Sequence, residues 1–178
     1  MPVPRLSHEG RTALSNKMRL VWLQHIYWTR LLLISIAERL KDQDATAARL
    51  LQNPDDIANV FSVDYPEGTA KNISRLLTEH LQIGAELITA LRDKKSAAAE
   101  SLNRRWYANA DKMADAFAGL NPRYKREEVG DMLYRHLALT TDEVSKRLAE
   151  DYAGDIKAFD LVENEAMMMA DYFSEGLI

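Results

Sequence analysis

The stretch LLTEHLQIGAELITAL, residues 76–91, carries leucine and isoleucine at helical spacing and places His80 in the middle of the apolar stripe. At offsets −4, −3, +3, +4 and +7 from His80 stand Leu76, Leu77, Ile83, Gly84 and Leu87. On a helix those positions share one face, so the imidazole points to the core. The same setting recurs twice. His25 has Val21, Trp22, Trp28, Thr29 and Leu32 at these offsets, and His136 has Met132, Leu133, Leu139, Thr140 and Glu143.

The recurrence is regular. His25, His80 and His136 are 55 and 56 residues apart, and Pro66 and Pro122 are also 56 apart. RLLQNPDDIANVFSVDYP aligns with RRWYANADKMADAFAGLNP, and KMADAF returns as MMADYF. A period of this length signals repeated supersecondary units. The chain divides into an N-terminal arm, 1–10, and a single domain, 11–178, of three units: 11–66, 67–122 and 123–178. Each unit reads as a helical hairpin. The first helix of the first unit spans 14–41, with its turn at DQDA. Later turns fall at DKKS and DYAGD, and DYPEGT and LNPRYK separate the units. Asn53-Pro54-Asp55-Asp56 has the form of an N-cap followed by proline at the first helical position, which breaks or restarts the second helix. No stretch alternates with period 2. The expected fold is all-α: an antiparallel up-and-down bundle of about six helices built from three hairpins.

Composition bounds the function. Of 178 residues, 47% are apolar and 28% charged, as in an ordinary globular domain. A net charge of −4 argues against a nucleic-acid surface. With no cysteine, thiolate metal sites, disulfides and cysteine nucleophiles are excluded. The start lacks the apolar segment of a secretory signal. LVWLQHIYWTRLLLISIA is 18 residues long but holds Gln24, His25, Thr29 and Arg30, so it reads as a buried first helix rather than a membrane span. A cytoplasmic protein is expected. Asp111, Asp115, Asp151, Asp155 and Asp171 read as solvated or turn residues.

The partner helices carry matching polar residues on their apolar stripes: Asn53, Asn109 and Glu165, each 28 or 29 residues after its histidine. A hairpin bent at the midpoint of that interval sets its two ends at one level. The midpoints for His80–Asn109 and His136–Glu165 fall in or beside predicted turns, so one polar layer crosses the bundle. The midpoint for His25–Asn53 is Arg39, about four residues before DQDA, an offset of about 6 Å along a helix, so five or six residues share the layer and the sequence leaves open whether Asn53 joins it.

The layer has two readings. It can be a register device, in which histidine and asparagine satisfy each other and hold the hairpins from sliding. The protein would then be a non-enzymatic scaffold, self-associating as a homo-oligomer. Alternatively, His25, His80, His136 and Glu165 form a ligand set for one divalent transition metal such as Zn, Fe, Mn or Ni, or receive a small ligand. Asn53 and Asn109 would orient the imidazoles from behind, with Glu143 as a further buried polar residue. Exposed Trp22 or Trp28 in an apolar patch would favour the first reading, and a cavity bounded by all three histidines the second. Glu-x-x-His and His-x-x-x-His pairs are absent, and inward glutamates are too few for a di-iron bundle. No phosphate loop or Ser-His-Asp context is present, and catalysis would need an open metal position besides.

QHIYWTRLLLISIAERL, LLTEHL, WYANADKMADAF and RLAEDYAGDIKAFD resemble a group of bacterial helical proteins without an assigned activity, over nearly the whole chain from Arg19. The resemblance implies a bacterial, cytoplasmic helical bundle and no particular reaction. A looser similarity to ferritin-like and hemerythrin-like metal-binding bundles rests on the inward histidines alone.

Overall fold

The computed structural model describes residues 7–62, 65 and 67–177, and among these every regular element is a helix. In chain order they are α1 (His8–Ala37), α2 (Gln43–Leu50), α3 (Asn53–Phe61), α4 (Glu67–Arg92), α5 (Ser96–Leu120), α6 (Arg126–Leu148) and α7 (Tyr152–Leu177). Together they form an all-α bundle. The unit boundary at Pro66 and most of the N-terminal arm lie outside the described residues.

Helix α1 starts inside the predicted arm because Ser7 caps it, its Oγ accepting from Gly10 N at 3.1 Å. It ends at Ala37, four residues before the predicted end. The reason is a left-handed residue, Arg39 (φ 54°), whose N–H reaches Ile36 O while Leu40 N reaches Ser35 O. That is a Schellman cap. The same pair of bonds closes α4 around Lys94 (φ 56°) and α6 around Glu150 (φ 61°). Each left-handed residue stands fourteen positions after its histidine, at 25 and 39, 80 and 94, 136 and 150. The first turn is therefore at Arg39, and most of DQDA belongs to α2. Likewise Tyr152–Asp155 open α7 rather than form a turn, because Asp151 Oδ1 accepts from Gly154 N at 2.9 Å and caps the helix.

A break at Leu51–Gln52 separates α2 from α3, and Pro54 lies at the start of α3, where its missing N–H costs nothing. Asn53 does not act as the N-cap. Gln52 holds that position without a side-chain bond, while the Asn53 amide turns into the core.

Helix α1 packs against α2, α3, α4, α6 and α7, while α4 packs on α5 and α6 on α7. By length and composition α1 could cross a membrane, with a window of mean hydropathy 1.3, but 44% of that window is buried in the bundle. Its inward face carries Met18, Val21, Trp22, His25, Ile26, Leu33 and Ile36. Around Trp22 lies an aromatic cluster in which Phe173 stacks on Trp22 (5.7 Å between centroids) and meets Phe117 at 4.4 Å. Tyr124 closes that end, its hydroxyl donating to Phe173 O at 2.6 Å, and its ring lies where a Cβ on Gly176 would sit. An aliphatic cluster of Leu32, Leu33, Ile36, Leu50, Leu81, Ile88 and Val144 forms elsewhere in the core. Along α1, His25 falls between Trp22 and Leu32.

Lys94 and Glu150 are exposed non-glycine residues at positive φ, a conformation that glycine adopts without penalty. Lys94→Gly and Glu150→Gly should each raise stability by about 0.5–1 kcal/mol in urea titrations. A loss of stability in both would contradict the cap geometry.

Candidate metal centre

Because α1, α4 and α6 each turn fourteen residues after a histidine, the three imidazoles arrive at one level. Their ring centroids are 5.9 Å (His25–His80), 5.8 Å (His25–His136) and 6.1 Å (His80–His136) apart. Each ring offers a nitrogen within 4.8 Å of one on the other two. All three residues are buried. They border a cavity of about 20 Å³ whose wall also includes Thr29, Thr140 and Trp106. Trp106 stacks on His80 (5.2 Å, 24°) and donates Nε1 to His80 O at 3.0 Å. Gly84 leaves room for that indole, since a Cβ there would touch Cζ2 at 3.4 Å.

The polar residues of the partner helices are all buried. Asn53 joins the layer: His25 Nδ1 and Asn53 Oδ1 are 3.0 Å apart, and Asn53 Nδ2 donates to Val21 O at 2.8 Å. With that acceptor on Nδ1, His25 holds its proton there and presents the lone pair of Nε2. Asn109 repeats half of the pattern, Nδ2 donating to Leu76 O at 3.2 Å, again the carbonyl four residues before the histidine. Its Oδ1, His80 Nδ1 and His136 Nδ1 are all buried and, among the described residues, make no hydrogen bond.

Glu165, predicted as the fourth ligand, is buried, but its carboxylate is not among the atoms of the histidine cluster. Its Oε2 instead lies 2.9 Å from Arg135 Nε, close enough for an ion pair yet off the direction a hydrogen bond needs. Burial pushes the Glu165 carboxyl up, and Arg135 opposes the shift.

Glu143 is buried as predicted but belongs to a different centre. It pairs with Arg30, which also forks onto Asp155 through bonds of 2.7 and 3.2 Å. Arg147 adds a 3.5 Å contact to Asp155 and a 2.9 Å bridge to Glu38. Asp155 is fully buried, which corrects its reading as a solvated turn residue. The sequence held a signal for this network. Arg30 lies in a run otherwise almost free of charge, and such an arginine needs a buried anion. Burial raises the Glu143 carboxyl to about 7, against the pull of Arg30.

Electrostatically the histidine cluster is a neutral site. Burial brings His25 down to about 4, against its bond to Asn53, and His136 down to about 3. His80 falls well below its ordinary value of 6.5, through burial first and then the two neighbouring imidazoles. At neutral pH all three rings are uncharged and carry a free lone pair, as metal ligands require. Three nitrogens at the observed spacing share a centre no more than about 2.8 Å from each, so roughly 0.7 Å of inward movement reaches a zinc–imidazole bond.

Fold and site thus define an all-helical bundle with a buried cluster of three neutral histidines. Comparison with family models, with curated proteins and with solved structures finds no match for this chain.

The histidines take up protons on unfolding, so their contribution is complete above 6.5 and is lost as pH falls toward 4 and below. Glu143 runs the other way, releasing a proton on unfolding between its ordinary 4.5 and about 7. Just below 6.5 the three imidazoles outweigh the raised carboxyls of Glu143 and Glu165, so metal-free protein should lose stability as pH falls through that window, by about 1.4 kcal/mol per pH unit for each net proton taken up on unfolding. Urea midpoints at pH 7, 6 and 5 test this, and a flat profile would contradict buried neutral imidazoles. Arg30→Met leaves buried Glu143 without its cation and Asp155 with Arg147 alone, and should cost about 3–5 kcal/mol by the same measurement, against little for Glu143→Gln.

Proposed function

We propose that the protein binds one divalent transition-metal ion, such as Zn, Fe, Mn or Ni, through His25, His80 and His136. The observation that carries this reading is the cavity bordered by three buried, neutral imidazoles, two of which have an unpartnered Nδ1. A layer that served register alone would be expected to satisfy its own polar atoms, because each buried orphan costs about 1–3 kcal/mol. His25–Asn53–Val21 meets that standard, but the second and third units do not.

Asn53 is the pattern for the outer partners. Asn109 and Glu165 hold matching positions, fifteen residues after the left-handed turns at Lys94 and Glu150. In this reading each would accept from its histidine's Nδ1–H, as Asn53 does from His25, and the three Nε2 atoms would hold the ion. Glu165 then serves behind His136 as the only carboxylate partner. Three imidazoles leave a fourth position open, as in sites that bind water or a small ligand. Such a centre supplies Lewis acidity to whatever occupies that position.

Metal content by mass spectrometry on untagged protein tests the assignment. About one ion per chain is expected, lost in His80→Ala and held about 10–100-fold more weakly in Glu165→Gln. No metal in the wild type, together with a Glu165→Gln protein at least as stable, would return the layer to a register device.

A second reading, a self-associating scaffold, draws on Leu20, Leu31, Leu161 and Met168, which are 47–50% exposed on the adjoining helices α1 and α7. Trp22, by contrast, is buried in the core. Light scattering distinguishes a dimer from a monomer.

A further inference from the structure

An open groove of about 420 Å³ runs between α1–α2 and α4–α5, near the turns at Arg39 and Lys94. Its walls keep the register of the ionic centre but not its chemistry. Leu32 and Ile36 follow His25 by seven and eleven residues, as Glu143 and Arg147 follow His136. Ala85 follows His80 by five, as Arg30 follows His25. Where α1 faces α6 and α7, the Arg30 side chain crosses to two carboxylates. Where α4 faces α1 and α2, the corresponding residue is a methyl group set between aliphatic walls, and nothing crosses. Ala47, Ala90 and Ala98 deepen the groove further.

Apolar walls open to water favour an apolar occupant. The volume falls in the range of small-molecule sites, about 300–1,000 Å³. A void of about 70 Å³ shares Leu32, Ala47 and Ala85 with the groove and adds Leu50, Leu51 and Leu81, so the apolar lining continues past the Ala85 end.

Charge distinguishes the two ends. The charged residues of the lining are Glu86 and Lys95. Glu86 is matched by Arg105 at 3.7 Å. Lys95 has no such match, for its Nζ is 4.0 Å from Asp93, which already holds Arg92 and Arg39 at 2.9 Å each. Three cations thus share one carboxylate. Lys95 also directly precedes α5, whose first turn has no acidic residue, so the positive end of that helix adds to the same field. An anionic head belongs at the Lys95 end, with an apolar chain running toward Ala85.

We propose that this groove binds a single-chain aliphatic carboxylate of about ten to twelve carbons, the extended length that matches the roughly 12–15 Å from Lys95 to Ala85 along the helix. The site is separate from the histidine cluster and does not depend on the metal reading.

Calorimetric titration of the full chain with dodecanoate, below its micelle concentration and near neutral pH, tests the assignment. One molecule per chain should bind, with decanoate about tenfold weaker for its two missing methylenes. Dodecyltrimethylammonium, which has the same chain and the opposite charge, should bind at least about tenfold more weakly than dodecanoate. Lys95→Glu should weaken dodecanoate at least about tenfold, whereas Lys94→Glu, at an exposed neighbour outside the lining, should change it less than about twofold. Ala98→Trp fills the groove from an exposed position on α5 and should weaken binding at least about tenfold with helical content unchanged. No binding by the wild type, equal affinity for the cationic amphiphile, unchanged affinity in either Lys95→Glu or Ala98→Trp, or an equal loss in Lys94→Glu would overturn the proposal. Metal content is unaffected by any of these results, so the two readings stand or fall separately.

Discussion

The interval between each inward histidine and the turn that follows it organises this molecule. Fourteen residues separate His25 from Arg39, His80 from Lys94 and His136 from Glu150, and each turn is closed by the same pair of cap bonds. A helix rises about 1.5 Å per residue, so equal intervals set the imidazoles at equal depth below one end of the bundle. Burial then does the rest. Rings withdrawn from water cannot hold a proton at neutral pH, and three of them together exclude charge from that slice of the core still more strongly. The result is a compact set of lone pairs in an apolar setting.

Two of the buried carboxylates, Glu143 and Asp155, are gathered elsewhere. Arg30, Glu143, Asp155 and Arg147 satisfy one another, with aromatic support where the Arg30 guanidinium lies 4.6 Å from the Phe159 ring centre. Arg30 sits five residues after His25, and Glu143 seven after His136. The bundle thus holds an ionic centre and a neutral cluster with unpaired nitrogens in adjoining turns of the same helices. Opposite charges meet at the ionic centre, whereas His80 and His136 each keep an Nδ1 without a hydrogen-bond partner among the described residues.

Much of this was legible from residue spacing. The helical period, the all-α class and the depth of the polar residues follow from where apolar side chains recur, and Leu76, Leu77, Ile83 and Leu87 are buried as their spacing requires. Turn positions were harder. DQDA and DYAGD have turn composition, but the chain turns at Arg39 and Glu150, residues with no intrinsic preference for positive φ. Misplacing the first turn by a few residues was enough to leave the place of Asn53 open. The role of Asn53-Pro54 was misread for a related reason, since capping chemistry is local whereas the demand from His25 is tertiary. Asp155 escaped notice because its partner lies 125 residues away. Glu165 was expected among the ligands because residue type suggests coordination, but distance from the three nitrogens cannot be read from type.

The central claim is that the three histidines close on one metal ion. X-ray absorption at the metal edge of zinc-loaded protein tests it most directly, because it reports the donors around the ion itself. The account predicts three imidazole nitrogens at about 2.0–2.1 Å with one light-atom ligand completing the shell, and loss of the imidazole scattering in His136→Ala. A shell of oxygen donors alone, unchanged by that substitution, would place the ion on surface carboxylates and contradict the account.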